Sequence, residues 1–313
     1  MIRALVIGAN GFVGRHLVGH LKESGDEVFC AGLQVPDSAE SNFLSVDITD
    51  ARSVRAVVQD VKPDVTYHLA GIAFVPEAEE DFDRVLRINV AGTANVARQC
   101  HLLDKKNSLL FVSSAEVYGA IRGEELPIRE GMAIKPSSNY SLTKRMAEMV
   151  IERYARAGNL TCCIVRPFNH IGPGQDSRFV TANFALQLAR IAHGRAEPVL
   201  RVGNLDAKRD FSDVRDIVRG YRLLSRTAGG LFNLGSGRAH SVQTVLDTLI
   251  EISGLDVAVH RDPERMRASE VPELYGSYEK ASQACGWTPQ ISLRQSLEDV
   301  YRYWLSQVEE GLI

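Results

Sequence analysis

Tyr140 and Lys144 stand four residues apart in Asn139-Tyr140-Ser141-Leu142-Thr143-Lys144, a spacing that puts both side chains on one face of a helix. A phenol ionises at ~10, and a fixed ammonium beside it favours the phenolate. Such a pair can pass a proton to or from an alcohol oxygen near neutral pH, which is carbonyl chemistry. The same spacing also arises by chance on exposed helices, so its neighbours carry weight. Upstream lies Phe111-Val112-Ser113-Ser114-Ala115-Glu116-Val117-Tyr118-Gly119, and a glycine-rich segment opens the chain.

That segment, Gly8-Ala9-Asn10-Gly11-Phe12-Val13-Gly14, joins a strand-like run to a helical pattern, as a dinucleotide-binding turn must. Small residues let the backbone approach a pyrophosphate, whose charge meets the free amides and positive dipole of a helix amino terminus. The spacing is Gly-x-x-Gly-x-x-Gly, not the Gly-x-Gly-x-x-Gly of many dehydrogenases. An acid closing the second strand ordinarily holds the adenosine ribose and rejects a 2′-phosphate. Gly32-Leu33-Gln34 occupies that position with neither acid nor arginine. NADP(H) is therefore the favoured cofactor, with NAD(H) also compatible. Asp47, in Val46-Asp47-Ile48, is placed by analogy for the adenine or else for a helix cap. Tyr67-His68-Leu69-Ala70-Gly71 would line the cofactor from the fourth strand. Asn89 either supports the active-site backbone or is a solvated residue of a helix.

The elements needed to hold these groups are legible in outline. Strand-like runs cover Arg3 to Ile7, Glu27 to Gly32, Phe43 to Val46, Val65 to Leu69, Leu109 to Ser113 and Thr161 to Arg166. Between them Gly11 to Ser24, Ala51 to Val61, Asp81 to Leu103 and Tyr140 to Ala157 have helical period and length. Alternation of this kind predicts an α/β fold, a Rossmann-type doubly wound parallel sheet whose ligands lie beyond the carboxyl ends of its strands. From Phe168 the pattern changes, with helical stretches near 179–192 and 242–253. The expected organisation is a dinucleotide-binding domain over 1–167, joined again by 211–237, and a smaller interlaced α/β substrate domain from 168–210 and 238–313.

The 313 residues include 36 Lys plus Arg and 39 Asp plus Glu, a net charge of −3. No global field argues for nucleic acid or membrane partners, and no apolar run reaches the ~18 residues of a membrane span. Five cysteines without paired metal-ligand spacing read as reduced, mostly buried thiols, and the expected compartment is cytoplasmic. His16 and His20 share a helical face but have no evident third ligand, so no metal is expected.

Together these motifs resemble the extended short-chain dehydrogenase/reductase family along most of the chain: the glycine trio, Leu69-Ala70-Gly71, Ser114 ahead of Val117-Tyr118-Gly119, and Tyr140-x-x-x-Lys144. The resemblance implies Tyr140 as general acid/base, Ser114 as a hydrogen-bond partner of the reacting oxygen, and Lys144 as both ribose ligand and the group lowering the Tyr140 pKa. The segment Arg166-Pro167-Phe168-Asn169-His170-Ile171-Gly172-Pro173-Gly174-Gln175, followed by Phe179-Val180-Thr181, resembles the nucleotide-sugar loop of the family. It implies Phe168 beside the cofactor and Asn169, Phe179 and Val180 beside the substrate. The run from Arg201 to Asp216 is similar to one shared by GDP-mannose 4,6-dehydratases and GDP-4-keto-6-deoxy-D-mannose reductases. Arg201 and Arg209, with Arg267 and Glu270 further on, are then the expected contacts to a GDP-sugar, a role suited to forked guanidinium donors. A homodimer through the two long helices is expected by the same resemblance.

The reaction depends on Glu116 and its neighbour. A dehydratase needs a base near C5 of the sugar, and Glu116 holds the position where such enzymes carry one. Dehydratases generally place Asp or a hydroxyl residue just before it, where this chain has Ala115, and Phe211-Ser212 stands where they tend to have Trp-Gly. The expected activity is therefore NAD(P)H-dependent reduction of the C4 ketone of GDP-4-keto-6-deoxy-D-mannose. The alternatives are a GDP-mannose 4,6-dehydratase, an epimerase, and a dinucleotide-binding regulator without turnover.

Overall fold

The computed structural model describes residues 1–36, 42–158, 160–265 and 272–313. The chain opens with β1 (Arg3–Ile7), α1 (Phe12–Glu23), β2 (Glu27–Gly32), β3 (Phe43–Ser45), α2 (Ala51–Val61) and β4 (Val65–His68). There follow α3 (Val75–Glu80), α4 (Phe82–Val85), a π-helical turn (Leu86–Gly92), α5 (Thr93–His101), β5 (Asn107–Val112), α6 (Asn139–Arg156) and β6 (Leu160–Pro167). The second half comprises β7 (Asn169–Ile171), α7 (Val180–Ala192), β8 (Val199–Val202), β9 (Lys208–Asp213), α8 (Val214–Leu224) and β10 (Gly230–Leu234). It ends with β11 (Ala239–Ser241), α9 (Val242–Ser253), β12 (Ala258–Arg261), β13 (Glu273–Leu274), α10 (Glu279–Cys285) and α11 (Leu293–Glu309).

Seven strands form one parallel sheet in the order β10-β6-β5-β4-β1-β2-β3. Helices cover both faces, which is why its strands read as continuous apolar runs rather than alternating ones. In β1, Ala4 and Val6 face a core with Leu17, Leu21, Ile217 and Tyr221, while Leu5 and Ile7 face Val54, Val58, Val96 and Ile151. The strand order reverses between β1 and β4, the switch point at which such sheets bind ligands. A third core lies among α7, α9 and α11, where Ala185, Leu246, Val300 and Trp304 pack together. Beside it β9 pairs with β7, β11 and β13, and β8 with β12.

The two halves exchange segments, though not at the expected residues. Residues 211–213 stay in β9 with the second sheet, and the return begins with α8, which packs on α1. β10 then adds to β6, with Leu231 opposite Ile164. Residues near 278–287, expected in the substrate domain, also join the first core through Ala281 and Trp287. The reason is Asp216 of α8: its carboxylate accepts the Gln290 and Ile291 amides at 2.8 Å, and its carbonyl accepts the buried Trp287 indole N–H at 2.8 Å.

The expected helix over Asp81 to Leu103 is instead broken into three parts. The π-helical turn inserts a residue and turns Asn89 inward, where its carboxamide accepts the Ile72 amide at 2.8 Å and donates to Ile72 O at 3.1 Å. α11 was not anticipated, although Ser292, which caps it by accepting the Gln295 amide, precedes an amphipathic run.

Trp287 is the largest fully buried side chain and ties the carboxyl-terminal segment to the nucleotide-binding sheet. Trp287→Ala is expected to lower unfolding free energy by roughly 3–5 kcal/mol, read as a fall in the denaturant midpoint.

Candidate active site

The glycine turn is built for close approach. Gly8 has φ 94°, and a Cβ there would lie 2.8 Å from the Ala70 amide nitrogen. A Cβ at Gly14 would collide with the Gly8 carbonyl oxygen, while the Gly11 amide donates to that oxygen at 3.1 Å. No side chain caps α1 at Gly11, so its leading amides are left for an anion. This cradle, which any side chain would fill, fits the pyrophosphate of a dinucleotide. Leu69 and Ala70 close it, their amides donating to Ile7 O at 2.9 and 3.0 Å. Gly71 sits against the Asn89 carboxamide and the Lys144 ammonium.

The other expected cofactor residues divide by environment. Asn10 is exposed near the end of β2, its amide 3.5 Å from Gln34 O. Asp47 is exposed and accepts the Thr49 amide and hydroxyl at 2.8 and 2.7 Å, whereas Asp50 caps α2. Ile48 is buried beside Gly92. Val13 packs on the first core. Phe12 turns toward the second half of the chain, stacked on His170 at 6.2 Å and 5° and edge-on to His16 at 5.5 Å. Phe168 has its ring buried with Ala115, Tyr118, Ile128 and Leu274, so any cofactor contact from it comes through backbone. Asn89 also donates to Thr143 Oγ1 at 3.2 Å, so it links the Ile72 backbone to α6.

α6 begins at Ser138, which accepts the Ser141 amide while Ser141 accepts that of Ser138. Tyr140 in the first turn of α6 and Lys144 in the second project from the buried face toward the end of β5. The Tyr140 phenol faces the Ser114 hydroxyl, which favours its ionised form and whose oxygen accepts the Glu116 amide at 3.2 Å. Lys144 Nζ donates to Val112 O at 2.9 Å and lies 5.9 Å from the Tyr140 ring centroid. Burial dominates both titrations. It pushes Tyr140 up to about 12, against the Ser114 hydrogen bond and with the charge of Glu116 adding to the rise. It pushes Lys144 down to about 8, partly offset by Glu148. The resemblance implies a Tyr140 lowered by Lys144; in the protein's own surroundings desolvation is the largest effect on the phenol and acts in the opposite direction.

Glu116 faces this group from an exposed position in the cleft. Desolvation raises its pKa, and Arg209 across the cleft opposes the rise. The half-buried Arg209 donates to Lys208 O at 2.8 Å. Asn169 is exposed on β7, which pairs with β9 so that Asn169 opposes Phe211. Phe179 precedes α7, edge-on to Phe74 at 5.6 Å, and the exposed Val180 begins that helix. Arg201 is exposed, its amide bound to Gln187 Oε1 at 2.9 Å. Arg267 and Glu270 lie outside the described residues. Two surface cavities, about 360 and 430 Å³, share no residue with this cleft.

Two features escaped the motifs. Arg15 Nη2 donates to Gly174 O at 3.2 Å and His16 Nε2 meets Pro173 O at 2.9 Å, so α1, the helix after the glycine turn, clasps the loop that follows β7 and Asn169. Glu148 continues the Tyr140 and Lys144 spacing by one more step of four and is buried against Arg166 and Ser113; the spacing itself was the available signal.

Residues 5–300 match the family model described as GDP-mannose 4,6 dehydratase. The chain belongs to that family. Within it, a GDP-6-deoxy-D-mannose reductase of Pseudomonas aeruginosa is 35% identical over 98% of this chain and 99% of its own. A GDP-mannose 4,6-dehydratase of Vibrio cholerae is 27% identical over 94% and 91%. The solved structure of RMD from Pseudomonas aeruginosa, complexed with NADPH, superposes with a TM-score of 0.87 at 31% identity, covering 97% of this chain and 99% of that one. The family's fold is thus the one described above. Among the described residues no helix is long and apolar enough to cross a membrane.

Because burial lowers Lys144 to about 8, its ammonium is present below that pH and lost above it. Affinity for a reduced nicotinamide dinucleotide, followed by its fluorescence, is expected to fall as pH rises from 7 through 9. Lys144→Met should bind weakly and show no such limb.

Proposed function

We propose that the chain reduces the C4 ketone of GDP-4-keto-6-deoxy-D-mannose to GDP-D-rhamnose, with NADPH preferred and NADH accepted. The observation that carries this reading is the surroundings of Glu116. Its preceding residue, Ala115, contributes only a methyl buried beside Val117 and Tyr118, so this position offers neither an acid nor a hydroxyl for elimination at C6. The reductase relative is also the more similar of the two, at 35% against 27%. Leu33 follows β2 without a carboxylate and so leaves room for a 2′-phosphate.

The reduced nicotinamide supplies hydride to C4 when bound. Ser114 would hold the ketone oxygen, and Tyr140 would donate its proton to the forming alkoxide. Its burial suits that task, since a general acid must arrive protonated. Lys144 would bind the nicotinamide ribose with its remaining N–H donors, and the leading amides of α1 would bind the pyrophosphate. Arg209 and Asn169 would hold the diphosphate-sugar, with Phe179 and Val180 along its edge and Arg201 at the outer rim.

Incubation with GDP-4-keto-6-deoxy-D-mannose and NADPH is expected to consume cofactor and yield one 6-deoxyhexose. Tyr140→Phe should retain dinucleotide binding and lose about 10²–10⁴-fold in kcat. Glu116 favours the rival dehydratase, and GDP-mannose alone tests it. Release of the 4-keto product with no added reductant, abolished in Glu116→Gln, would replace the reductase reading.

The proposed assembly is a cytoplasmic homodimer. Leu142 and Met149 are 41% and 55% exposed on the outer face of α6, with Met146 half-buried between them and Val150 half-buried after Met149, an apolar stripe of helix-pairing spacing. Sedimentation of Met149→Glu is expected to show monomer where the unmodified protein shows dimer.

A further inference from the structure

Glu148 is 0% exposed, and its carboxylate is nonetheless fully engaged. Ser113 Oγ donates to Oε1 at 2.6 Å, Arg166 Nε to Oε1 and Nη2 to Oε2, both at 2.7 Å, and Arg145 Nη1 to Oε2 at 3.0 Å. The 1% exposed Arg166 lies 4.7 Å over the Tyr118 ring. The Tyr118 hydroxyl donates in turn to Asn233 Oδ1 at 2.8 Å, reaching β10 at the sheet edge. A buried carboxylate of this kind is costly unless paired, and a buried pair adds little net stability over apolar residues of the same shape. Stability alone is thus a poor account of it.

Position supplies a better one. Tyr140, Lys144 and Glu148 recur every four residues on one face of α6, and each grips a different residue at the end of β5. Tyr140 meets Ser114, Lys144 meets Val112 O, and Glu148 meets Ser113. We propose that Glu148, anchored by Arg166, is a positioning residue that sets the register of α6 against β5 and so aligns Ser114, Tyr140 and Lys144 on the reacting oxygen. Its charge also acts on Lys144. The groups facing that ammonium are His68 of β4, held neutral by burial at about 3, the Tyr140 ring, the Phe111 ring and Glu148. Glu148 is the anion that acts on Lys144 among the described residues.

For its turnover readout this inference rests on the reductase reading; its other readouts do not. The full-length enzyme would be compared with Glu148→Gln, Ser113→Ala and the paired Glu148→Met/Arg166→Met, which leaves no unpaired buried charge if the single Glu variant fails to fold. The measurements are kcat and KM across pH, NADPH affinity across pH, and amide hydrogen exchange over 113–118. The paired variant is expected to keep KM within about threefold, lose at least about tenfold in kcat and exchange faster over 113–118. Ser113→Ala should fall between it and the unmodified enzyme. Glu148→Gln should move the basic limb of NADPH binding to lower pH, because Lys144 loses its counter-charge. If the folded variants match the unmodified enzyme in kcat, pH limb and exchange and differ only in melting temperature, the pair is merely structural and the inference is overturned. If the unmodified enzyme does not oxidise NADPH with the ketone, the reductase reading fails instead, and exchange and the NADPH-binding limb still decide the register.

Discussion

The site depends on the seam between α6 and the end of β5, where a phenol, an ammonium and a carboxylate are buried along one helical stripe. Water is replaced there by fixed partners: a hydroxyl for Tyr140, a main-chain carbonyl for Lys144, a guanidinium and a serine for Glu148. Each partner lies on or beside β5, or on β6 next to it in the sheet. Sliding α6 along the strands would strand several buried polar groups at once, each costing about 1–3 kcal/mol. The helix therefore has one low-energy register, and the catalytic geometry comes with it. The π-helical turn acts from the other flank, where Asn89 bonds both Ile72 and Thr143.

A second constraint joins the two halves of the chain. α1 presents its amino terminus to the expected phosphates and its side to the loop 172–174, through Arg15, His16 and the Phe12 stack on His170. Gly172 packs so closely on Val214 that a side chain there would overlap it. The helix that would carry the cofactor phosphates thus also fixes the loop that follows Asn169. Relative position of hydride donor and sugar is then a property of one packed unit, which suits a reaction sensitive to displacements of about 1 Å.

What was legible in the sequence was whatever local pattern encodes. β1 to β6 and α1, α2 and α6 follow from apolar periodicity and turn glycines, the pairing of Tyr140 with Lys144 from spacing, and the role of Ser114 from the family resemblance. The π-helical turn was not legible, because its cause is a tertiary bond from Asn89 to Ile72, 17 residues away. The docking of Trp287 onto Asp216 spans 71 residues and leaves no periodic trace. Phe168 reads as a cofactor residue because it sits in a motif, and the burial of its ring in the cluster around Tyr118 needed the structure to be seen. The tuning of Tyr140 also needed the structure. Proximity of an ammonium argued for a lowered pKa, but the sequence carries no measure of desolvation, and desolvation is the larger effect.

That reversal bears on the direction of the chemistry. Oxidation of a sugar alcohol, the first act of a dehydratase, requires the phenol to accept a proton and so benefits from a readily formed phenolate. Reduction requires the opposite, a proton held until the alkoxide forms. Here burial is the larger effect disfavouring the phenolate and the charge of Glu116 adds to it, while Arg209 opposes the desolvation that raises Glu116 itself. Ala115, a buried methyl beside Val117 and Tyr118, withholds the donor that elimination would need at C6.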